Sequence, residues 1–454
     1  MTKLFSCEGV SGRAMTELSC EIAMRTGRAL SILLQNRTGR RAKIIIGRDT
    51  RLSGEILTLS FAVGCCSAGA DAHILGIVPS PAVSYLTEKY SADAGVMITA
   101  SHNTHEFNGI RIFDSRGFSI SPELLEEIER LVTESPDEML LSGGEQIGFV
   151  VYEKNAEWDY VRGVMKKIDV DLDKIRIAVD CANGAACGTA EKFFRGIGAN
   201  VILINNTPDG KNVNENCGTS DLEPLIKCVL DNRCQAGLAF DGDAGRCLIV
   251  DEKGQVLDGD RMTALLAYYM KIEQKLSANT CVVSQITNLG FFRWAKENGI
   301  VVTTAPGVGC RYIVERMLVG DYNLGGSPSG HIVLFDCAKT ADGQLAGAKI
   351  LEILKRSGRK MSELAAVYEP YPQMAINLQL RPEYVGRWQD VPAVAEIIEF
   401  CSQKLEGDGR VFVRESSTSP ILRIIVEGRD RDTVRQYAYA IAKTARDNVG
   451  YPEE

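Results

Sequence analysis

Short β-branched and aliphatic runs alternate with helical stretches along most of this 454-residue chain, and each alternation restarts after a polar break. Parallel strands need a crossover long enough to carry a helix, so this rhythm predicts parallel or mixed sheets covered by helices. Strands are expected at 43–47, 72–75 and 95–99, with helices at 55–68 and 81–89 between them. An acidic segment containing Ser and Gly, 134–145, reads as an exit linker. A second set of strands falls at 175–180, 201–204 and 236–240. A third set follows 258, with a long helix to about 275, a strand at 280–284, a helix and a strand at 301–304. From about 370 the plan changes to a helix at 391–405, strands at 410–414 and 422–426, and a helix at 433–448. The expectation is an α/β fold of three consecutive α/β domains with mixed sheets, at 1–145, 146–254 and 255–368, followed by an α+β domain at 369–454.

Composition narrows the function classes. A chain that is 45% hydrophobic, 24% charged and only 7% aromatic reads as soluble and globular. The net charge of -8, with no basic run interleaved with aromatics, argues against a nucleic-acid surface. Fourteen cysteines without a Cys-x-x-Cys pair, and four scattered histidines, indicate neither a zinc site nor a disulfide framework. Single buried thiols in a reducing compartment fit better. The first residues lack an apolar signal-like core, and no run approaches the ~20 apolar residues that span a bilayer. A cytoplasmic protein without membrane contact is therefore expected.

Four segments carry polar groups suited to chemistry. An apolar strand runs straight into a polar loop that presents Ser101, which makes this serine a candidate phosphoryl carrier. Asp241-Gly-Asp-Ala-Gly-Arg246 follows another apolar strand. Its alternate carboxylates could hold one hard cation, or the segment could be a tight Asp-Gly turn, and the spacing leaves both open. Asn323-Leu-Gly-Gly-Ser-Pro-Ser-Gly-His331 ends in a histidine, a residue that in a strand is more often structural than catalytic. Arg414-Glu-Ser-Ser-Thr-Ser-Pro-Ile-Leu-Arg423 reads on its own as a polar hairpin loop.

Taken together and in this order, the segments resemble the active-site loops of the α-D-phosphohexomutases, which move a phosphate between two oxygens of one hexose through a phosphoserine. Thr99, Ala100, Ser101, His102, Asn103, Asn108 and Gly109 match the serine loop T-A-S-H-N-P-x-x-x-N-G-x-K, while Thr104 replaces its proline and Arg111 its lysine, a suspected proton shuttle. Asp241, Asp243 and Arg246 match the metal motif D-G-D-x-D-R, with Gly245 in place of the third aspartate. Ser329 and His331 match the sugar loop G-E-P-S-G-H, with Ser327 at the glutamate that grips two hydroxyls. Arg414, Ser416, Thr418 and Arg423 match the phosphate loop R-x-S-G-T-E-P-x-x-R, with Ser417 and Ser419 at its glycine and glutamate. Leu4-Phe-Ser-Cys-Glu-Gly-Val-Ser-Gly12, Ile46-Gly-Arg-Asp-Thr-Arg-Leu-Ser-Gly54, Val179-Asp-Cys-Ala-Asn-Gly184, Asp209-Gly-Lys-Asn-Val-Asn-Glu-Asn-Cys-Gly218 and Val308-Gly-Cys-Arg-Tyr-Ile313 are similar to segments of the bacterial branch that acts on glucosamine phosphates.

The resemblance implies a four-domain architecture and a set of roles. Ser101, His102, Arg111 and His331 are the expected catalytic residues. Ser101, Asp241 and Asp243 are the expected Mg²⁺ ligands, and Arg246, Ser327, Ser329, Arg414, Ser416, Ser417, Thr418 and Arg423 the expected substrate contacts. The implied ligands are a hexose or hexosamine phosphate and a sugar bisphosphate primer, with a homodimer or a regulatory protein as further partners. Chemistry positions depart from the pattern at Ser11, Arg111, Gly245, Cys310, Ser327 and Ser419, while scaffold-like segments keep it. Two readings follow. One is a mutase that interconverts glucosamine 6-phosphate and glucosamine 1-phosphate at a reduced or lost rate, through a weakened metal site. The other is a pseudoenzyme that binds a sugar phosphate or a protein and regulates an active enzyme.

Overall fold

The computed structural model describes residues 5–6, 9–416 and 420–451, which form two compact units. Met1–Gln285 with Ile300–Val367 make the larger unit, and Ile286–Gly299 with Tyr368–Glu454 the smaller one.

Three mixed sheets follow one another in the larger unit. The first has seven strands, β1 (Phe5–Ser6), β2 (Gly9–Arg13), β3 (Lys43–Arg48), β4 (Asp71–Ile77), β5 (Ala94–Ile98), β6 (Phe107–Asp114) and β7 (Val150–Tyr152), in the spatial order β1-β2-β6-β5-β3-β4-β7. Its interior strand β3 carries three wholly buried isoleucines, Ile44, Ile45 and Ile46, because helices cover both faces of a parallel core. The segment 134–145, expected as an exit linker, is followed by β7, which returns to pair in parallel with β4. The first sheet thus extends past the expected border at 145. Strand β6 and the helix Cys20–Thr38 lay outside the sequence-based expectation.

The second sheet comprises β8 (Arg176–Asp180), β9 (Asn200–Ile204), β10 (Ala236–Phe240), β11 (Cys247–Asp251) and β12 (Val256–Leu257), ordered β12-β11-β10-β8-β9. The third comprises β13 (Thr280–Val283), β14 (Val301–Thr304), β15 (Leu324–Gly326) and β16 (Ile332–Leu334), ordered β14-β13-β15-β16. Each of the three sheets joins a parallel core to an antiparallel return, at β5/β6, β10/β11 and β15/β16. The loops at those three joints are the serine loop, the Asp-Gly-Asp loop and the Ser-Pro-Ser loop. All three leave the carboxyl end of a parallel strand, the edge of an α/β sheet where ligands characteristically bind.

The smaller unit is a three-stranded antiparallel sheet of β17 (Gln373–Gln379), β18 (Gly409–Glu415) and β19 (Ile421–Gly428), in the order β17-β19-β18. The helices Pro392–Lys404 and Arg431–Val449 close over it, and Leu378, Val394, Ile424, Val426 and Ile441 form part of its core. Strand β17 was not expected, although Met374, Ile376 and Leu378 alternate with polar residues at strand period. The helix Leu289–Glu297, expected with the third α/β domain, belongs to this unit. Its first amide donates to Glu427, at 2.8 Å, and Asn288 caps the helix while accepting from the Tyr371 amide at 2.9 Å.

Candidate active site

The serine loop is held open by a buried cation. Arg51 is almost wholly enclosed and pairs through Nε with Asp49 at 2.8 Å. Its other donors reach the carbonyls of Ser101 (2.9 Å), Asn103 (2.8 Å), Phe107 (3.1 Å) and Thr104. One guanidinium thus satisfies four backbone acceptors of this loop. Asp49 also accepts from the Thr99 hydroxyl at 2.6 Å. Asn214 adds two further donors to the Ser101 and Asn103 carbonyls, at 2.8 and 2.9 Å. Under this clamp Ser101 adopts φ 51°, a left-handed conformation that costs a non-glycine residue energy and is kept only where the surroundings impose it. Sequence reasoning noted the segments that contain Arg51, Asp49 and Asn214 but gave these residues no role; a charged side chain between two glycines and an apolar strand was the available signal.

Clamped in this way, Ser101 is 2% exposed and its Oγ donates to Asp241 Oδ2 at 2.6 Å. Burial pushes the Asp241 carboxyl up to about 6, and the nearby Asp243 adds to the rise. Asp243 moves the opposite way. Burial raises it, but Arg111 and the Ser80 hydroxyl outweigh that effect and hold it below the usual carboxylate range. Ser80 donates to Asp243 Oδ2 at 2.6 Å, and Arg111 Nη1 approaches the same oxygen at 3.3 Å. Ser80, at the start of the helix Ser80–Lys89, is a further residue that the sequence did not single out.

Arg246 folds back on the serine. Its amide donates to Asp241 Oδ1 at 3.0 Å, and its Nη2 lies 3.0 Å from His102 Nδ1. His331 pairs with Arg246 across an isolated bridge. Burial, and then the positive charges of Arg246 and Arg111, keep the His331 imidazole well below its ordinary pKa, hence neutral. Ser327 and Ser329 lie hydroxyl to hydroxyl at 3.0 Å, and Ser329 Oγ is 3.4 Å from His331 Nδ1. Within the larger unit the expected residues of three separate loops therefore meet in one place.

Gly245 is the gap in this arrangement. It has no positive φ, and a Cβ built on it would lie 3.4 Å from Asp243 Oδ1 and 3.8 Å from the His331 ring. Among the described residues no three His, Cys, Asp or Glu side chains are grouped to hold a metal ion. The donors that are present, two buried carboxylates and a serine hydroxyl, are all oxygen and suit a hard divalent cation in kind, one carboxylate short in number.

The hairpin loop of the smaller unit has its own chemistry. Arg414 and Arg423 stand directly opposite each other on β18 and β19. Burial, followed by the like charge of Arg423, holds Arg414 below its usual value, and the Nε of each arginine is buried without a hydrogen-bond partner. Like charges facing across a strand pair repel, and an anion bound between them relieves that repulsion. The Ser416 amide closes the hairpin on the Ile421 carbonyl at 2.8 Å, while Ser417, Thr418 and Ser419 lie outside the described residues.

Comparison with known proteins agrees with this architecture. Profiles of the phosphoglucomutase/phosphomannomutase α/β/α domains I, II and III match residues 2–139, 158–254 and 258–371, and that of the C-terminal domain matches 376–444. The phosphoglucosamine mutase of Acetivibrio thermocellus is 40% identical, covering 99% of this chain and 100% of its own. That of Clostridium acetobutylicum is 42% identical, covering 98% of each. Among solved structures, a phosphoglucomutase/phosphomannomutase family protein from Burkholderia thailandensis superposes with a TM-score of 0.80 at 21% identity, covering 99% of both chains. Aspergillus fumigatus N-acetylphosphoglucosamine mutase, in complex with GlcNAc-6P and magnesium, superposes with a TM-score of 0.68 at 16% identity over 98% of this chain and 96% of its own. Its four domain matches and its full-length likeness to phosphoglucosamine mutases show that the chain belongs to the phosphohexomutase family.

Proposed function

We infer that the chain binds a hexosamine phosphate and exchanges phosphate with it through Ser101, interconverting glucosamine 6-phosphate and glucosamine 1-phosphate more slowly than a mutase with a full set of site residues. The observation that carries this reading is the 2.6 Å contact between Ser101 Oγ and the Asp241 carboxylate, inside a loop that Arg51 holds in a strained form. The named activity of relatives at 40–42% identity supports the choice of sugar.

The residues divide the work. Asp241 accepts from the Ser101 hydroxyl at 2.6 Å and so fixes the direction of the reacting oxygen. Arg111 and Arg246 supply fixed positive charge beside the reacting oxygen. A guanidinium does not release a proton at neutral pH, so Arg111 stabilises charge without acting as a base. Neutral His331 is free to accept a proton from a sugar hydroxyl, with Ser327 and Ser329 as hydroxyl partners for the ring substituents. Arg414 and Arg423 make the hairpin of the smaller unit suited to binding a phosphate. Ser101, Asp241 and Asp243 would hold a magnesium ion, which when bound offsets the charge of the phosphoryl group. The likeness to bacterial phosphoglucosamine mutases supports a place in the cytoplasm; among the described residues no helix is long and apolar enough to cross a membrane.

One observation favours the pseudoenzyme reading. Arg111 already neutralises Asp243 at 3.3 Å, so the pair that should attract a cation is half satisfied without one. Two measurements separate the readings. Incubation with glucose 1,6-bisphosphate followed by peptide mapping is expected to place phosphate on Ser101, and a coupled assay to show conversion of glucosamine 6-phosphate. Phosphate on another residue excludes the Ser101 mechanism. Phosphorylated Ser101 without conversion leaves the regulatory reading standing.

A further inference from the structure

Strand β7 ends the first sheet on one side, and its outer edge is open. Its inner edge pairs in parallel with β4, in the register Ala72 with Val150, His73 with Val151 and Ile74 with Tyr152. The Ala72 amide donates to the Phe149 carbonyl at 2.8 Å, and the Glu153 amide to the Ile74 carbonyl at 2.9 Å. Backbone groups alternate in direction along a strand, so those of 149, 151 and 153 face β4 while those of Val150 and Tyr152 face outward. Among the described residues these outward N–H and C=O groups have no partner.

Sheets commonly blunt such an edge with a lysine, a proline or a covering loop. This one is left sticky. The run Ile147-Gly-Phe-Val-Val-Tyr152 holds neither a charge nor a proline, and its apolar side chains are all exposed, Tyr152 by 64%. Leu140 and Leu141, a few positions earlier, are 80% and 64% exposed. Apolar surface gathered in so short a stretch marks a contact site.

Two observations choose the partner. The first is the symmetry of the open edge. When a second β7 approaches antiparallel with a two-fold axis at Val151, Val150 falls opposite the Tyr152 of the other copy, and Tyr152 opposite its Val150. Those are the two residues with outward groups, so each pair exchanges both of its N–H···O=C bonds and none is left over. Valine facing tyrosine is also a favourable cross-strand pair. The second observation is charge. In the same register Phe149 faces the Glu153 of the other copy, and the Arg41 guanidinium lies over the Phe149 ring, 5.5 Å from its centroid. Arginine and carboxylate thus meet on both sides of the axis.

We propose that β7 is the contact strand of a two-fold homodimer, in which the seven-stranded sheets of two chains join edge to edge. The axis sets Val151 against itself. The proposal does not depend on the mutase reading.

Sedimentation of the full chain over a range of concentrations reads the assembly, and the parent is expected to dimerise. Val151→Lys and Val151→Glu each place like charges face to face across the axis, and each is expected to weaken dimerisation by at least about tenfold. Mixed in equal amounts, the two variants put lysine against glutamate and are expected to recover a dimer. Tyr152→Pro removes one outward N–H and no bond to β4, a change that an edge strand tolerates, and is expected to weaken dimerisation as well. Thermal melting shows whether each variant is folded. A parent that stays monomeric overturns the proposal and leaves the edge to an extended segment of another protein. A dimer indifferent to all three changes overturns it too, because the contact then lies on another surface. So does a mixture of folded Val151→Lys and Val151→Glu chains that fails to associate.

Discussion

At the scale of single residues, the site shows which departures are open to repair. Gly245 has an ordinary backbone and ordinary van der Waals room around a built Cβ, so a side chain can start there without backbone strain. Gly245→Asp is expected to tighten Mg²⁺ binding by about tenfold or more, because a third carboxylate joins a site held by two. Calorimetry on the two proteins measures it, and equal affinities would mean that another oxygen already fills the place. Some of this was legible in the sequence. Asp241, Asp243 and Ser101 could be named as a set because the resemblance aligned them, although Ser101 lies 140 positions or more from the two aspartates. Ser80 could not be named. A serine that opens a helix is common, and only the fold brings its hydroxyl to Asp243.

At the scale of elements, the serine loop depends on a partner from another segment. Arg51→Met would remove four carbonyl contacts and leave Asp49 buried beside an apolar chain. Burial already raises the Asp49 carboxyl despite the arginine next to it, and without the arginine the penalty stands alone. A loss of about 3–5 kcal/mol is expected from breaking a buried pair of this kind, read by chemical denaturation. Amide exchange should speed up first in 99–107. A change below 1 kcal/mol would mean that Asn214 alone can hold the loop. Periodicity exposed the strands that feed these loops, because buried parallel strands are almost continuously apolar. It could not expose β7, three residues long and exposed throughout, nor the attachment of the helix Leu289–Glu297 to the C-terminal unit. Both are set by contacts between positions far apart in the chain.

At the scale of the whole molecule, the departures are spread over separate domains and are expected to act together. Ser327→Glu, Gly245→Asp and Arg111→Lys return a diol acceptor, a metal ligand and a titratable amine. The triple variant should gain far more glucosamine-phosphate mutase activity than the best single variant, by roughly 10²-fold or more, since groups that act as a unit are not additive. A parent that already turns over on the order of 10 per second would show instead that the losses are compensated. The repeated joint between parallel core and antiparallel return has a wider consequence. Each reactive loop hangs from the rim of a sheet whose interior is already complete, so changes at residues such as Gly245 and Ser327 leave the buried isoleucines of β3 and their counterparts untouched. Natural selection can therefore silence or rewrite one loop while the others stay fixed, and a lineage can shed its catalytic trade long before it sheds its shape.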